Sequence, residues 1–147
     1  MPSRVDGNEG PPLPAVSRGA RILLVEDEAN IRFLMASILR DCGYQVLEAS
    51  NGRAAFELLR CQGNTLQLLI TDLGLPGLGG RELIREVASA CPGAKVLCMS
   101  AAFPDPNEGF RPENFLAKPF SLKGLVRTVR EILGEHSQTK RRDRKVS

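Results

Sequence analysis

Short apolar runs alternate with segments of helical period between Ala20 and Leu133. Five of the runs have the near-continuous hydrophobicity of strands that are covered on both faces. These runs lie at residues 21–25, 44–49, 66–71, 94–99 and 114–117. Because strands and helical segments alternate along the chain, the pattern predicts an α/β fold with a parallel sheet and helices on both faces.

The helical segments carry apolar side chains at intervals of three and four residues, which is the spacing of one helix face. Three such stripes are clear, and we expect their members to belong to the core. They comprise Ile31, Leu34, Met35, Ile38, Leu39 and Cys42 in the first, Leu83, Ile84, Val87, Ala88 and Cys91 in the second, and Leu122, Leu125, Val126, Val129, Ile132 and Leu133 in the third.

One connection, "AAFPDPNEGFRPE" at residues 101–113, departs from this alternation. It holds Pro104, Pro106, Gly109 and Pro112. Proline removes a backbone donor and clashes with the preceding turn of a helix. We therefore expect at most one short turn there, so that the fourth helix of the fold is short or disrupted.

The two ends of the chain differ in composition from its middle. Residues 1–19 have the Pro/Gly/Ser bias of a flexible arm, residues 20–134 form the predicted folded domain, and residues 135–147 form a basic flexible tail. The tail accounts for the whole net charge of +3. A basic run can bind nucleic acid, but a short one is more often only solvated, and no recognition-helix segment follows the last stripe. Nucleic-acid binding is therefore disfavoured.

Length and composition limit the classes of function. A chain of 147 residues with 42% hydrophobic residues suits one globular domain and leaves no room for a second catalytic domain. No apolar run approaches the roughly 18 residues of a spanning helix, and the N-terminus lacks a secretory pattern, so we expect a soluble cytoplasmic protein. Four cysteines without a C-x-x-C pair and a single histidine disfavour zinc and predict buried free thiols.

Charged and hydroxyl side chains stand where the predicted strands end. Ligands of open parallel sheets bind beyond the carboxyl ends of the strands. Glu26 and Asp27 follow the first strand, Asp72 the third, Ser100 the fourth and Lys118 the fifth. Three carboxylates brought within about 4 to 5 Å repel one another by a few kcal/mol per pair at an effective dielectric constant near 20. Such a cluster must bind a cation or take up protons.

A hard divalent cation fits this cluster best. Oxygen ligands without histidine favour Mg²⁺ that retains several waters. With a lysine and a hydroxyl beside it, the group has what phosphoryl transfer requires, and Asp72 can be the nucleophile. The "GLPG" stretch that begins at Gly74 must then turn sharply and approach the site, which glycine permits and proline fixes.

Four motifs in this order resemble the response-regulator receiver domain of two-component signalling. They are "LLVEDE" (23–28), "LLITDLGLPGLGG" (68–80), "VLCMSA" (96–101) and "FLAKPF" (115–120), and the similarity extends over about residues 20–134. Both free-standing receivers and the C-terminal receivers of hybrid histidine kinases fit the pattern. The resemblance implies a flavodoxin-like fold with the strand order 2-1-3-4-5.

The resemblance also implies roles for individual residues. Asp72 would accept a phosphoryl group from a histidine kinase or a histidine phosphotransfer protein. Glu26, Asp27 and Asp72, with the main-chain carbonyl of Gly74, would hold Mg²⁺. Lys118 would bind the phosphoryl oxygens.

A second set of residues would report phosphorylation to a downstream protein. Ser100 would turn towards the phosphoryl group, and Phe115 would occupy the aromatic switch position. Pro119 would shape the bond that presents the lysine before it. The departure at residues 101–113 affects the segment that usually contributes to dimerisation, so the oligomeric state stays open.

Each of these interpretations has an alternative. Asp27 alone would suit a cap of the first helix. A phosphohydrolase with an aspartate nucleophile usually needs a second acid two residues on, where Gly74 stands. The chain could also be a pure interaction module whose acid site is idle. His136 lies beyond the last predicted helix and is a poor phosphodonor, so the donor would be another protein.

Overall fold

A computed structural model describes residues 19–62, 65–74, 79–101 and 114–135. Within these ranges, five parallel strands form one sheet in the order β2-β1-β3-β4-β5. The strands are β1 (Arg21–Val25), β2 (Gln45–Ala49), β3 (Leu68–Asp72), β4 (Lys95–Ser100) and β5 (Phe115–Ala117). The predicted α/β architecture and strand order are confirmed, and each strand begins within two residues of its predicted start.

Four helices accompany the sheet in the described part of the chain. They are α1 (Ala29–Asp41), α2 (Gly52–Gln62), α3 (Gly80–Ala90) and α4 (Leu122–Ile132). Side-chain oxygens cap two of them, because the first N–H groups of a helix have no partner within it. Asn51 Oδ1 accepts from the Ala54 N–H at 2.8 Å, and Ser121 Oγ accepts from the Gly124 N–H at 2.9 Å.

Two apolar cores lie on opposite faces of the sheet. Ile22 and Leu24 pack with α1 and α4, whereas Leu23 and Val25 pack with α2 and α3. All four side chains are at most 1% exposed. Successive residues of a strand point to opposite faces, so a central strand covered on both faces has few polar positions. This explains the near-continuous apolar runs.

The expectation that every stripe residue belongs to the core is wrong at four positions. Ile31 is 40% exposed, Leu34 51% and Leu122 36%, and Ala88 is also exposed. Ile31 and Leu34 lie in the first two turns of α1, and Leu122 begins α4. They line an apolar cavity of about 480 Å³ together with Met35, Ala101, Lys118, Pro119 and Phe120.

The cysteines are only partly as expected. Cys91 and Cys98 are buried, and burial raises the pKa of the Cys98 thiol to about 12. Cys42 is half-buried and Cys61 is exposed, so the prediction of a buried thiol is wrong for Cys61. All four are free.

Three expectations fall outside the described residues. They are the flexible arm (1–19), the basic tail (135–147) and the disrupted fourth helix (101–113), of which the structure describes only Gly19, Glu135 and Ala101. Among the helices that the structure describes, none has the length and apolar character needed to cross a membrane.

Candidate functional site

The alternation of side chains along the strands places three charged residues on one face of the sheet. Leu24, Ile70 and Leu116 pack in or against the core beneath α1 and α4. Two positions further along the chain, where the strands end, the same row of side chains continues with Glu26, Asp72 and Lys118. The parallel register of the sheet therefore brings together residues that are far apart in sequence.

The three predicted carboxylates meet at this edge. Glu26, Asp27 and Asp72 each offer an oxygen, and these atoms lie within 4.8 Å of one another. Glu26 is 1% exposed, whereas Asp72 is half-buried and Asp27 is exposed. Asp27 is not the cap of α1, because Glu28 occupies the N-cap position. The capping alternative for Asp27 is thus wrong.

Lys118 lies between two of the acids. Its Nζ donates a hydrogen bond to Asp72 Oδ2 and contacts Glu26 Oε1 at 3.3 Å. Burial alone would lower the pKa of Lys118, but the hydrogen bond and negative charge of Asp72, together with Glu26, raise it above its usual value. The lysine is therefore charged at neutral pH. It follows β5 directly, and the bond between Lys118 and Pro119 is cis.

Glu26 is the most deeply buried acid of the cluster. Burial raises the pKa of its carboxyl group, although the Glu28 N–H and Lys118 act in the opposite direction. The Glu28 N–H donates to Glu26 Oε2 at 3.0 Å, so both carboxylate oxygens have partners. Even so, the cost of holding this charge away from water is only partly offset, and a further cation nearby would offset more of it.

Gly74 approaches the Asp72 carboxylate closely. Its N–H donates to Asp72 Oδ1 at 2.8 Å, and a Cβ at this position would lie 3.3 Å from the same oxygen. The predicted coordination of a metal by the Gly74 carbonyl stays a prediction. The next four residues, 75–78, lie outside the described part of the chain.

Ser100 and Phe115 lie on the opposite face of the sheet from the Asp72 side chain. Cys98 pairs with Phe115 and Ser100 with Ala117, so Ser100 and Phe115 share one face. Both side chains are half-buried. The Ser100 carbonyl accepts from the Lys118 N–H at 2.9 Å, which ties the end of β4 to the residue that follows β5.

One residue beside the site was not predicted from the sequence. Arg32 Nη1 donates to the main-chain carbonyl of Glu26 at 2.8 Å, and Arg32 Nε lies 3.5 Å from Glu48 Oε1. A signal exists in the sequence, because side chains of the first helical turns point back towards the N-terminus of the helix. A long basic residue one turn into α1 can therefore reach the end of β1.

The donor set suits a hard divalent cation. Three carboxylate oxygens within 4.8 Å, with one acid fully buried, match the preference of Mg²⁺ for a few carboxylates plus water. The cluster contains neither histidine nor cysteine, which are the ligands that softer transition metals prefer. The residues present therefore fit Mg²⁺.

Comparison with known proteins agrees with this geometry. The family described as the response regulator receiver domain matches residues 22–130. The chain belongs to this family. The receiver match includes every strand and helix of the described structure except the first residue of β1 and the last two of α4.

Two relatives of this receiver come from Brucella abortus (strain 2308). The response regulator receiver protein CpdR is 34% identical over 118 residues, which cover 77% of this chain and 96% of that protein. The sensor kinase CckA is 35% identical over 122 residues, which cover 80% of this chain and 13% of the kinase. The receiver thus spans nearly all of one relative and a small part of the other.

A solved structure shares the fold. The response regulator TrrA from Thermotoga maritima, crystallised in complex with Mg²⁺-BeF, is 29% identical to this chain. The TM-score is 0.63, and the alignment covers 77% of this chain and 98% of that one. The receiver architecture is therefore shown by family, relatives and structure alike.

Proposed function

We propose that Asp72 is the phosphoacceptor of a two-component phosphorelay. Receiver domains interact with histidine kinases or phosphotransfer proteins, and a partner of this kind would supply the phosphoryl group. The observation that carries the proposal is the convergence of Glu26, Asp27 and Asp72 within 4.8 Å, with Lys118 in contact with two of them.

In the proposed reaction, an oxygen of Asp72 attacks the phosphorus of a phosphohistidine. An O–P bond forms, the P–N bond breaks, and the histidine nitrogen leaves with the electron pair. Glu26, Asp27 and Asp72 would hold Mg²⁺, which neutralises charge on the phosphoryl oxygens when it is bound. The complex of TrrA with Mg²⁺-BeF supports this ligand class.

The side chains of the receiver position the reacting groups. The Gly74 N–H holds Asp72 Oδ1 at 2.8 Å and so fixes the plane of the nucleophilic carboxylate. Lys118, already charged beside Asp72, would transfer its hydrogen bond to the incoming phosphoryl oxygens. Both contacts place donors where negative charge develops, which is the main contribution a protein makes to phosphoryl transfer.

The added phosphoryl group would act as a switch. It carries a charge of about −1.5 to −2 at neutral pH. Ser100 ends β4, the strand next to β3, and its hydroxyl would turn towards that charge from the other face of the sheet. Phe115, on the same face as Ser100, would then move and alter the surface that a downstream protein binds.

We propose signalling rather than steady enzymatic turnover in the cytoplasm. A turnover enzyme of this chemistry would need an acid two residues after the nucleophile, and Gly74 is there instead. The receiver would catalyse only its own phosphorylation and the slow loss of its own phosphoryl group. Turnover of a small phosphate ester at a steady rate would contradict this assignment.

The test is transfer of labelled phosphate from a phosphorylated histidine protein. Wild-type protein should become labelled with Mg²⁺, and both Asp72→Asn and chelation of the metal should abolish labelling. Asp41→Asn, at the exposed end of α1, is the matched control and should be labelled normally. Undiminished labelling of Asp72→Asn would overturn the proposal. Equal affinity for a target with and without phosphate would favour the pure interaction module.

A further inference from the structure

We infer that Arg32 is a positioning residue that orients the peptide between Glu26 and Asp27 and so presents the exposed Asp27 carboxylate to the metal. This inference rests on the proposed function, because it concerns the same Mg²⁺ site. Arg32 contacts the main-chain carbonyl of Glu26 and the carboxylate of Glu48, so it would act on the metal ligands through the backbone. The assignment follows from the contacts of Arg32 and from how that side chain is itself held.

The peptide group after Glu26 is fixed by Arg32. Its carbonyl oxygen accepts from Arg32 Nη1 at 2.8 Å, and on the other side of the residue the Glu26 N–H donates to the Ala49 carbonyl at 3.1 Å. The carbonyl of Glu26 and the nitrogen of Asp27 belong to one rigid peptide plane. Fixing that carbonyl therefore fixes the direction in which the chain enters Asp27.

Asp27 depends on this constraint more than its neighbours do. The Glu26 side chain is buried and both of its oxygens have partners, and the Asp72 side chain is held by Gly74 and Lys118. Asp27 is exposed and lies between the end of β1 and the start of α1. Its carboxylate must take its orientation chiefly from the backbone.

Arg32 is held in turn by an ion-pair network that ends on β2. Its Nε lies 3.5 Å from Glu48 Oε1, with the two side chains 19% and 29% exposed. Arg40 Nη1 contacts Glu48 Oε2 at 2.9 Å, and Arg40 Nη2 donates to the Val46 carbonyl at 2.7 Å. Glu48 therefore lies between two arginines of α1. The planar guanidinium of Arg32 bridges an acid and a carbonyl at once, which an ammonium group cannot reproduce.

Electrostatics alone predicts the opposite effect from positioning, and this makes the inference testable. Arg32 is a cation near a cation-binding site, so removing its charge should tighten Mg²⁺ binding if only charge matters. If Arg32 positions Asp27, removing it should weaken binding, because groups that orient metal ligands typically contribute about 10- to 100-fold to affinity.

The experiment measures Mg²⁺ affinity by titration calorimetry on the full chain. Arg32→Met should raise the dissociation constant about tenfold or more. Arg32→Lys, which keeps the charge but not the planar group, should raise it by a smaller factor. Arg53→Met, which removes an exposed arginine on α2, is the matched control and should leave the affinity unchanged. An affinity that is unchanged or tighter in Arg32→Met would overturn the inference.

Two further measurements separate positioning from general loss of structure. Glu48→Gln should also weaken Mg²⁺ binding, but the double variant with Arg32→Met should be no worse than Arg32→Met alone, since Glu48 acts through Arg32. Phosphorylation of Arg32→Met should recover towards the wild-type rate when Mg²⁺ is raised to saturate the variant. Additive effects in the double variant, or no recovery, would contradict the assignment.

The outcomes also distinguish this inference from the proposed function. If wild-type protein binds no Mg²⁺ or Asp72→Asn is still labelled, the proposed function fails. If wild-type protein binds Mg²⁺ and is labelled at Asp72 while the Arg32 variants bind as tightly as wild type, only the role of Arg32 fails.

Discussion

Tyr44, the residue before β2, contacts Glu135, which lies three residues after the end of α4. Its hydroxyl lies 3.1 and 3.0 Å from the two carboxylate oxygens of Glu135, and Arg130 Nε lies 3.9 Å from one of them. Tyr44 is 4% exposed. Burial raises the pKa of Tyr44 above its usual value of 10.0, and the charge and hydrogen bond of Glu135 raise it further.

This shift predicts a loss of stability in alkali. The folded protein keeps the Tyr44 proton at a pH where the unfolded chain releases it, so the contribution of Tyr44 is complete below pH 10 and is lost as the pH rises above that value. The loss from this one group should amount to about 1.4 kcal/mol per pH unit in the free energy of unfolding. The Tyr44→Phe protein should not show this part of the loss in stability as the pH rises.

Absorbance can test the prediction directly, because Tyr44 is the single tyrosine of the chain. Tyrosinate absorbance should appear only together with the loss of helical circular dichroism as the pH is raised. Ionisation with an ordinary midpoint in protein that is still folded would contradict the prediction. Tyr44→Phe serves as the blank for the other groups that titrate in this range.

Helix α3 begins directly against the end of the central strand. A Cβ at Gly80 would lie 2.8 Å from the Asp72 carbonyl oxygen and 3.1 Å from Leu73 Cα. The Gly79 N–H is satisfied by Glu82 Oε1 at 2.9 Å, which fixes the first turn of the helix. The start of α3 therefore lies so close to the end of β3 that no side chain fits between them.

Gly80→Ala should lower the free energy of unfolding by about 1–3 kcal/mol, because the added carbon meets backbone on the neighbouring strand. This outcome opposes the better helix propensity of alanine. At Gly93 a Cβ would meet nothing within 4 Å, so Gly93→Ala is the matched control and should change stability by no more than about 0.5 kcal/mol. Urea denaturation measures both. A Gly80→Ala protein as stable as wild type would show that α3 can shift.

Leu34 and Leu39 of α1 belong to the same apolar stripe in the sequence but differ in burial. Leu39 is fully buried beneath the sheet, whereas Leu34 is 51% exposed at the mouth of the apolar cavity. Leu39→Ala should cost about 2–5 kcal/mol of stability. Leu34→Ala should cost less than about 1 kcal/mol, because little apolar surface is withdrawn from water there. Equal costs, measured by chemical denaturation, would contradict the described packing.

The proposed metal site would link the stability of the whole fold to the magnesium concentration. A ligand that binds only the folded state at 100 times its dissociation constant adds about 2.7 kcal/mol to the free energy of unfolding. We expect this gain for wild-type protein and a much smaller one for Asp27→Asn at the same Mg²⁺ concentration. Thermal denaturation with and without the metal measures it, and Asp41→Asn should behave as wild type. If Mg²⁺ stabilises Asp27→Asn as much as wild-type protein, Asp27 is not a ligand of the metal.

The sequence was most informative about the sheet, because a strand buried on both faces is apolar at nearly every position. The residues at the strand ends, including Glu26, Asp72 and Lys118, could be predicted for the same reason, since parallel strands carry their carboxyl ends to one edge. The helices were less certain. Helical spacing marks an apolar face but does not reveal which part of that face is covered, so Ile31 and Leu34 resemble core residues in sequence and are exposed in the structure.

Arg32 shows a different limit of the sequence. Its contact with the Glu26 carbonyl is made by a charged side chain to backbone, and charged residues on a helix are usually solvated. Only the path of the chain from β1 into α1 distinguishes Arg32 from the other arginines of the helices. Contacts to main-chain atoms leave no periodicity in the sequence by which they could be predicted.

Asp72, the proposed nucleophile, already has a hydrogen-bond partner on each carboxylate oxygen. Asp72 Oδ1 accepts from the Gly74 amide and Oδ2 accepts from the Lys118 ammonium. A hydrogen bond from an ammonium group withdraws electron density from the oxygen that accepts it, so Asp72 would attack phosphorus more readily once Lys118 transfers that bond to the incoming phosphoryl oxygens. Phosphoryl oxygens offer the ammonium charged acceptors in exchange, whereas an uncharged electrophile offers at most a neutral one. Lys118 would thus lower the reactivity of the Asp72 carboxylate towards neutral alkylating or acylating agents and leave it reactive towards anionic phosphoryl donors.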